Sequence, residues 1–300
     1  MKTEQNTENR KTVSGWLYRF MENHAIWFWV IFSTVTVLVL YKAFSVTFLE
    51  KTPYMWDYTF HHITLTLLCI LMMREAYQGE FHMGFRGKRF GLGLLLCWPA
   101  LLFIALNLLS TLSAERIYPE SLIMEMARNV SVGLFEEVVV RAILVGHMMY
   151  HWKNSPHRVF KSVLWSSVLF GVLHIGNVFA NPVGTALQIF YAAGFGVMFA
   201  AAYIRTRNLW SCILVHALVD LAANLNSIYV PLQADMEAYQ MSLQEVPSLA
   251  YFLVPQQIVS ILSGIFVPGI LVGVIFAVAA GAFSLRKSKA EEIAQLWENM

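Results

Sequence analysis

Val132 to Met149 reads VGLFEEVVVRAILVGHMM, an apolar helix candidate with Glu136, Glu137 and Arg141 in its middle. A charged side chain at the centre of a membrane helix costs roughly 2.5 to 3.5 kcal/mol, so charges this close together must be paired or put to use. Glu137 and Arg141 stand four apart with the acid first, the favourable order for an ion pair along a helix. Glu136 is turned about 100 degrees from Glu137, free to face a cavity while its neighbour holds the arginine.

Two further apolar stretches carry ionisable residues at depth. LFGVLHIGN sets Phe170 and His174 one helical turn apart, the ring forming a wall beside the imidazole. LVHALVDLAANL sets His216 and Asp220 four apart, so the carboxylate can fix the orientation and tautomer of the imidazole. A buried glutamate is a competent general base for water, and a neighbouring histidine can hold that water or protonate a leaving amine. A second histidine can donate to the oxyanion of a tetrahedral intermediate. The chemistry these residues suit is hydrolysis of a peptide bond without a covalent intermediate. Glu136, Glu137, His174 and His216 are the candidate catalytic residues, and Arg141, Phe170 and Asp220 support them. No Gly-x-Ser-x-Gly elbow, His-Glu-x-x-His motif or pair of catalytic aspartates competes.

The same residues admit other readings. Glu136, His174 and His216 are an acceptable zinc ligand set with an open position for water, so zinc is possible, none is assigned, and a glutamic-type and a metalloprotease site stand side by side. Buried Glu, Arg and His also mark ion pathways, which makes a proton-coupled transporter or channel the second reading. Against it, no repeated half or matched pair of interrupted spans is present. A catalytically inactive membrane binding or immunity protein is the third. His147 falls near the Glu136 face but about 16 Å further along the axis, too far for one centre. It is read as interfacial with His151, His61 and His62.

These residues need helices in a bilayer to position them. With 57% hydrophobic and 13% charged residues and a mean hydropathy of +0.55, the chain is far more apolar than a soluble domain. Several apolar runs reach the length of about 20 residues that a bilayer crossing requires. The expected architecture is an all-α polytopic membrane protein with eight transmembrane helices. The runs are about Trp27 to Leu49, Asp57 to Met73, Leu92 to Ser110, Ala127 to Tyr150, Phe160 to Ala180, Gly184 to Ile204, Leu209 to Val230 and Gln256 to Leu285. The first is too long for a signal-peptide core and is taken as a retained anchor. Of the 21 Lys and Arg, 16 fall in the two tails and in every second connection, so both termini are expected to be cytoplasmic. The long connection from Pro231 to Pro255 carries acids and no Lys or Arg. Residues 1–26 form a cytoplasmic tail with an interfacial helix candidate around Trp16 and Phe20. Residues 27–285 form one membrane-embedded domain with its motif core at 125–230, and residues 286–300 a second cytoplasmic tail. Within that tail, Ile293, Leu296 and Trp297 suit a helix on the membrane surface or a solvated end. Cys69, Cys97 and Cys212 stand alone in apolar runs, so neither a disulfide framework nor a thiolate site is indicated.

Glu136-Glu137-x-x-x-Arg141, Phe170-x-x-x-His174 and His216-x-x-x-Asp220, in that order on separate spans, resemble the three motifs of the CAAX-protease and bacteriocin-processing family, also called the abortive-infection family of intramembrane proteases. The resemblance covers about residues 125 to 230. It implies that Glu136 and His174 activate the attacking water and that His216 serves the oxyanion. The prenyl-protease branch has Asn one turn after that histidine, whereas this chain has Asp220, as many bacterial members do, which argues against a prenylated substrate. An ionised carboxylate cannot donate to an oxyanion, so Asp220 orients His216 or, with metal present, adds a ligand. The implied substrate is a membrane protein or peptide in the lipid bilayer, with no nucleic acid. The implied location is a plasma membrane, the inner membrane of a bacterium, crossed many times.

Overall fold

The computed structural model describes residues 54–76, 82–110, 116–179, 182–231, 234 and 266–298, with residues 16, 19, 20, 23 and 24. The first expected span, the Pro231 to Pro255 connection beyond these residues, and positions 256–265 of the last span lie outside them. Where described, the chain is all-helical and has no strand. α1 spans Tyr54–Ala76. α2 (Phe90–Leu96) and α3 (Ala100–Ser110) divide the third expected span. They bend by 66° at the break, where Pro99 lacks the N–H that would continue the ladder. α4 (Pro119–Glu137) opens on proline, whose missing donor costs nothing at a first helical position. It continues without interruption through a π-helical stretch, Val138–Val145, into α5 (Gly146–His151).

α6 (Arg158–Leu173) passes into a 3-10 turn at His174–Phe179, and α7 (Pro182–Thr206) follows. α8 (Leu209–Ala223) is capped by Asn208, whose side chain accepts from Ser211 N at 3.0 Å. α9 (Phe266–Ser284) and α10 (Ala290–Trp297) complete the set.

Several helices are amphipathic in the inverted sense. α6 buries Ser162, Ser166 and Ser167 while exposing Phe160, Leu164, Val168 and Val172. α8 buries Ser211 and His216 while exposing Trp210, Leu214 and Leu218 at steps of four. Apolar side chains outside and small polar ones between helices suit lipid as the surrounding solvent. Of the described helices, Arg158–Val178 and Pro182–Thr206 are long and apolar enough to cross a membrane, and the bent pairs Phe90–Leu108 and Gly269–Trp297 raise the number to four. α4 misses the composition because of its own charges, and α8 has only 15 residues. The chain is a membrane protein.

α4 packs against α1 on one side and α8 on the other, and α7 packs between α6 and α9. Glu137 meets His216, and eight residues back Asn129 meets Asn224, so α4 and α8 run antiparallel in register. Gly133 allows the approach: a Cβ there would stand 3.2 Å from Ala217 N and 3.3 Å from Ile213 O, both backbone. Gly133→Val is therefore expected to push α8 off α4 at a cost of about 1 to 3 kcal/mol, seen as a lowered Tm in detergent. A Tm equal to wild type would show the contact to be slack.

α10 neither floats in solvent nor lies free on the bilayer. Ile293 and Trp297 are buried, and Trp297 Nε1 donates to Ile204 O at 2.9 Å. Glu292 bridges Arg89 and Arg205, with Lys289 at 3.4 Å. The Arg205 guanidinium, with help from Lys289, pulls the Glu292 carboxyl down to about 2. A depressed carboxylate contributes stability above its ordinary 4.5 and loses it as pH falls through the folded value. The ion pairs should thus help hold α10 from neutral pH to near 4.5 and be lost between there and about 2, loosening the helix. Trp297 fluorescence against pH, with Glu292→Gln as the variant that removes the acid transition, checks this.

Candidate active site

The three motif stretches come together where α4, α6, α7 and α8 meet. Glu137 ends α4 fully buried, and Arg141 lies one turn on in the π-helical stretch, also fully buried. Arg141 Nη1 approaches Glu137 Oε1 at 2.9 Å. No guanidinium nitrogen of Arg141 has hydrogen-bond geometry to a partner, so the approach is an ionic contact rather than a forked bond. The guanidinium instead lies over two aromatic faces, 4.2 Å from the Phe170 centroid and 5.1 Å from that of Phe199.

His216 is the hub. Its Nδ1 lies 2.8 Å from Glu137 Oε1. A carboxylate accepts, so Nδ1 carries the proton and Nε2 is turned the other way. Nε2 stands 3.5 Å from Glu136 Oε2 and 3.5 Å from Asp220 Oδ2. The imidazole stacks on Phe199, centroids 5.5 Å apart at 22°, and meets Phe170 edge-on at 5.7 Å. Its plane is fixed on two sides.

His174 closes α6. Its Nδ1 lies 2.9 Å from Phe170 O, and a carbonyl can only accept, so the neutral ring keeps its lone pair on Nε2. Phe170 stands edge-on to this imidazole as well, at 5.2 Å. One phenyl ring thereby contacts both histidines and the arginine. Glu136 is part-exposed along its side chain, yet its Oε2 is buried and accepts no hydrogen bond. It offers an uncommitted lone pair beside the His216 Nε2 edge. Asp220 lies within electrostatic reach of Glu136 and His174 as well as His216.

Among the described residues no three His, Cys, Asp or Glu side chains are grouped so as to hold an ion. His216 Nδ1 is committed to Glu137 and His174 Nδ1 to Phe170 O, which leaves each Nε2 as the nitrogen facing the cavity. The chemistry below is derived from side chains alone.

Sequence reasoning missed several neighbours. His62, assigned to the interface, is half-buried on α1 with Nδ1 2.8 Å from Tyr58 O. It meets Phe135 edge-on at 5.5 Å and lies within electrostatic reach of Glu136 and Arg128. His147 and His61 are buried, His147 because α5 packs on α6, whereas His151 is exposed. α7 supplies Phe199 and also Tyr191, which lies within electrostatic reach of Asp220 and Glu136. The step of four from Tyr191 through Phe195 to Phe199 was the available signal. Beyond Glu136 on α4, buried Glu125 holds Arg128 at 3.1 Å and Asn129 at 2.9 Å, and Asn129 receives Asn224 at 3.0 Å. These polar groups share the Glu136 side of the α4–α8 seam.

No curated protein and no solved structure matches the chain. Residues 118–222 do match a family model, that of the type II CAAX prenyl endopeptidase Rce1-like proteins, and the matched stretch begins just before α4 and ends within α8, taking in all three motifs. Over residues 118–222 this chain carries an Rce1-like domain, consistent with the CAAX-protease and bacteriocin-processing family that its motifs resemble.

Proposed function

We propose that this protein is an intramembrane endopeptidase that hydrolyses a peptide bond in a membrane-associated protein or peptide with water activated by Glu136 and His174. An Rce1-like domain supports peptidase activity of the CAAX type. The observation that carries the finer reading is the position of His216 between three carboxylates, with Nδ1 on Glu137 and Nε2 facing Glu136 and Asp220.

In this mechanism water is held between Glu136 Oε2 and His174 Nε2, each an acceptor, and gives up a proton to them as it attacks the carbonyl. Glu137 holds the Nδ1 proton of His216, so a second proton on Nε2 can be donated to the oxyanion. The proton taken by Glu136 or His174 then passes to the leaving amine. Arg141 stands against Glu137 as its cationic partner, Phe170 keeps both imidazoles in place, and Asp220 orients His216 from its other edge. The molecule is read as eight spans in a plasma membrane, with both termini cytoplasmic and residues 27–285 forming a single embedded unit.

The test compares membrane and secreted proteomes of cells carrying the intact protein with those carrying Glu136→Gln at matched expression. A few proteins should lose their cut termini in the mutant. Indistinguishable proteomes would end the hydrolytic reading and return the transporter to first place, to be tested as Glu136-dependent flux in proteoliposomes.

A further inference from the structure

The two ends of the bundle are tied by different contacts, and the candidate site communicates with only one of them. At the first end, Leu209 N donates to Gly84 O at 3.1 Å, Trp210 Nε1 to Phe85 O at 3.1 Å and Arg207 Nη1 to Leu296 O at 3.2 Å. These bonds gather three of the basic connections, those around residues 86–89, 205–207 and 286–289, onto one face. At the second end, Tyr118 N donates to Ile228 O at 2.9 Å and Ser121 Oγ to Val230 O at 2.7 Å, joining the start of α4 to the exit of α8. Arg116 is the cation that the connection leading into α4 brings there.

Between the site and the basic end the chain is sealed. Val138 to Met149 and Met198 to Thr206 are buried without interruption, and Leu209 and Cys212 are inaccessible. Toward the second end the surroundings turn polar and open. His174 is the capping residue of α6 and is followed by exposed Ile175, Gly176 and Asn177. It lies 16 residues beyond Arg158, a rise of about 24 Å from the basic end. Asp220 and Glu136 keep about a quarter of their side chains accessible, 28% and 25%. Asn129, Asn224 and Glu125 continue the polar seam outward from them.

Basic connections mark the cytoplasmic side of a membrane protein. We propose that the site opens on the opposite, extracytoplasmic face, and that its substrates are polypeptide segments presented from that side, stretches of exported or membrane-inserted proteins and peptides rather than cytoplasmic C-terminal tails. The substrate half rests on the protease reading above; the orientation half stands without it.

Two single-cysteine variants of the full chain, Asn177→Cys and Lys287→Cys, separate the halves. Both positions are exposed, neither belongs to the site machinery, and the three native cysteines are buried, so wild type sets the background. With a membrane-impermeant maleimide, Asn177→Cys should label in intact cells and Lys287→Cys only after permeabilisation. The reverse pattern, or equal labelling of both in intact cells, overturns the orientation. For the substrate, Glu136-dependent cut sites should map to extracytoplasmic or membrane-embedded segments. Cuts in cytoplasmic tails overturn the inference while leaving the protease reading intact. Outside labelling of Asn177→Cys without any Glu136-dependent cut upholds the orientation and sinks the substrate half with the protease reading.

Discussion

Glu136→Gln should leave the protein folded and remove cleavage, lowering kcat by roughly a hundred- to ten-thousand-fold, the usual weight of a positioned general base. Glutamine has the size of glutamate and cannot take a proton from water at neutral pH. The substitution also breaks nothing, because Glu136 Oε2 accepts no hydrogen bond and its neighbours at 3.5 Å are too far to count as bonded. That is why this position separates chemistry from folding better than Glu137, whose carboxylate serves two partners at once. The measurement is turnover of a peptide spanning a mapped cut site, by purified protein in liposomes, with Tm recorded beside it. Unchanged turnover would remove Glu136 from the mechanism. Equal losses of turnover and Tm would make it a structural residue.

How much of this was visible beforehand follows from what local spacing encodes. Charges in apolar runs are conspicuous because the bilayer penalises them, so Glu136, Glu137, Arg141, His174, His216 and Asp220 stood out. Pairs within one helix also came out as read: Glu137 with Arg141 at 2.9 Å, Phe170 against His174, His216 with Asp220 at 3.5 Å. The bond that defines the hub, His216 to Glu137, spans 79 residues and depends on the α4–α8 register, which no local pattern states. Phe199 and Tyr191 were hidden for the opposite reason. An aromatic residue in an apolar helix looks the same whether it faces lipid or an imidazole. His62 was lost to its position near an expected span end, though α1 sets it against Phe135 of α4. The third expected span was read as continuous, whereas Pro99 stands at a break where the chain bends by 66°. Docking of α10 needed Ile204 O as the acceptor for Trp297, again a long-range partner.

Arg141→Met should be the most damaging single change to the fold. Removing one partner of a fully buried ion pair typically costs about 3 to 5 kcal/mol, because the remaining charge stays in a site that cannot solvate it. Here Glu137 would keep only His216, and the Phe170 and Phe199 faces would lose the cation between them. The expected readouts are low yield in the membrane and a sharply lower Tm. Pairing it with Glu137→Gln removes both charges while keeping the volume, and replacing a buried pair in this way is often neutral. The double variant should therefore recover yield and Tm. It should not recover turnover, because a neutral amide at 137 no longer favours the doubly protonated His216 that donates to the oxyanion, a loss on the order of a hundred- to a thousandfold. Recovery of both fold and turnover would reduce the pair to a structural role and leave His216 without a charged support. A folded Arg141→Met single variant would mean that the two aromatic faces and His216 suffice to carry Glu137 without its arginine.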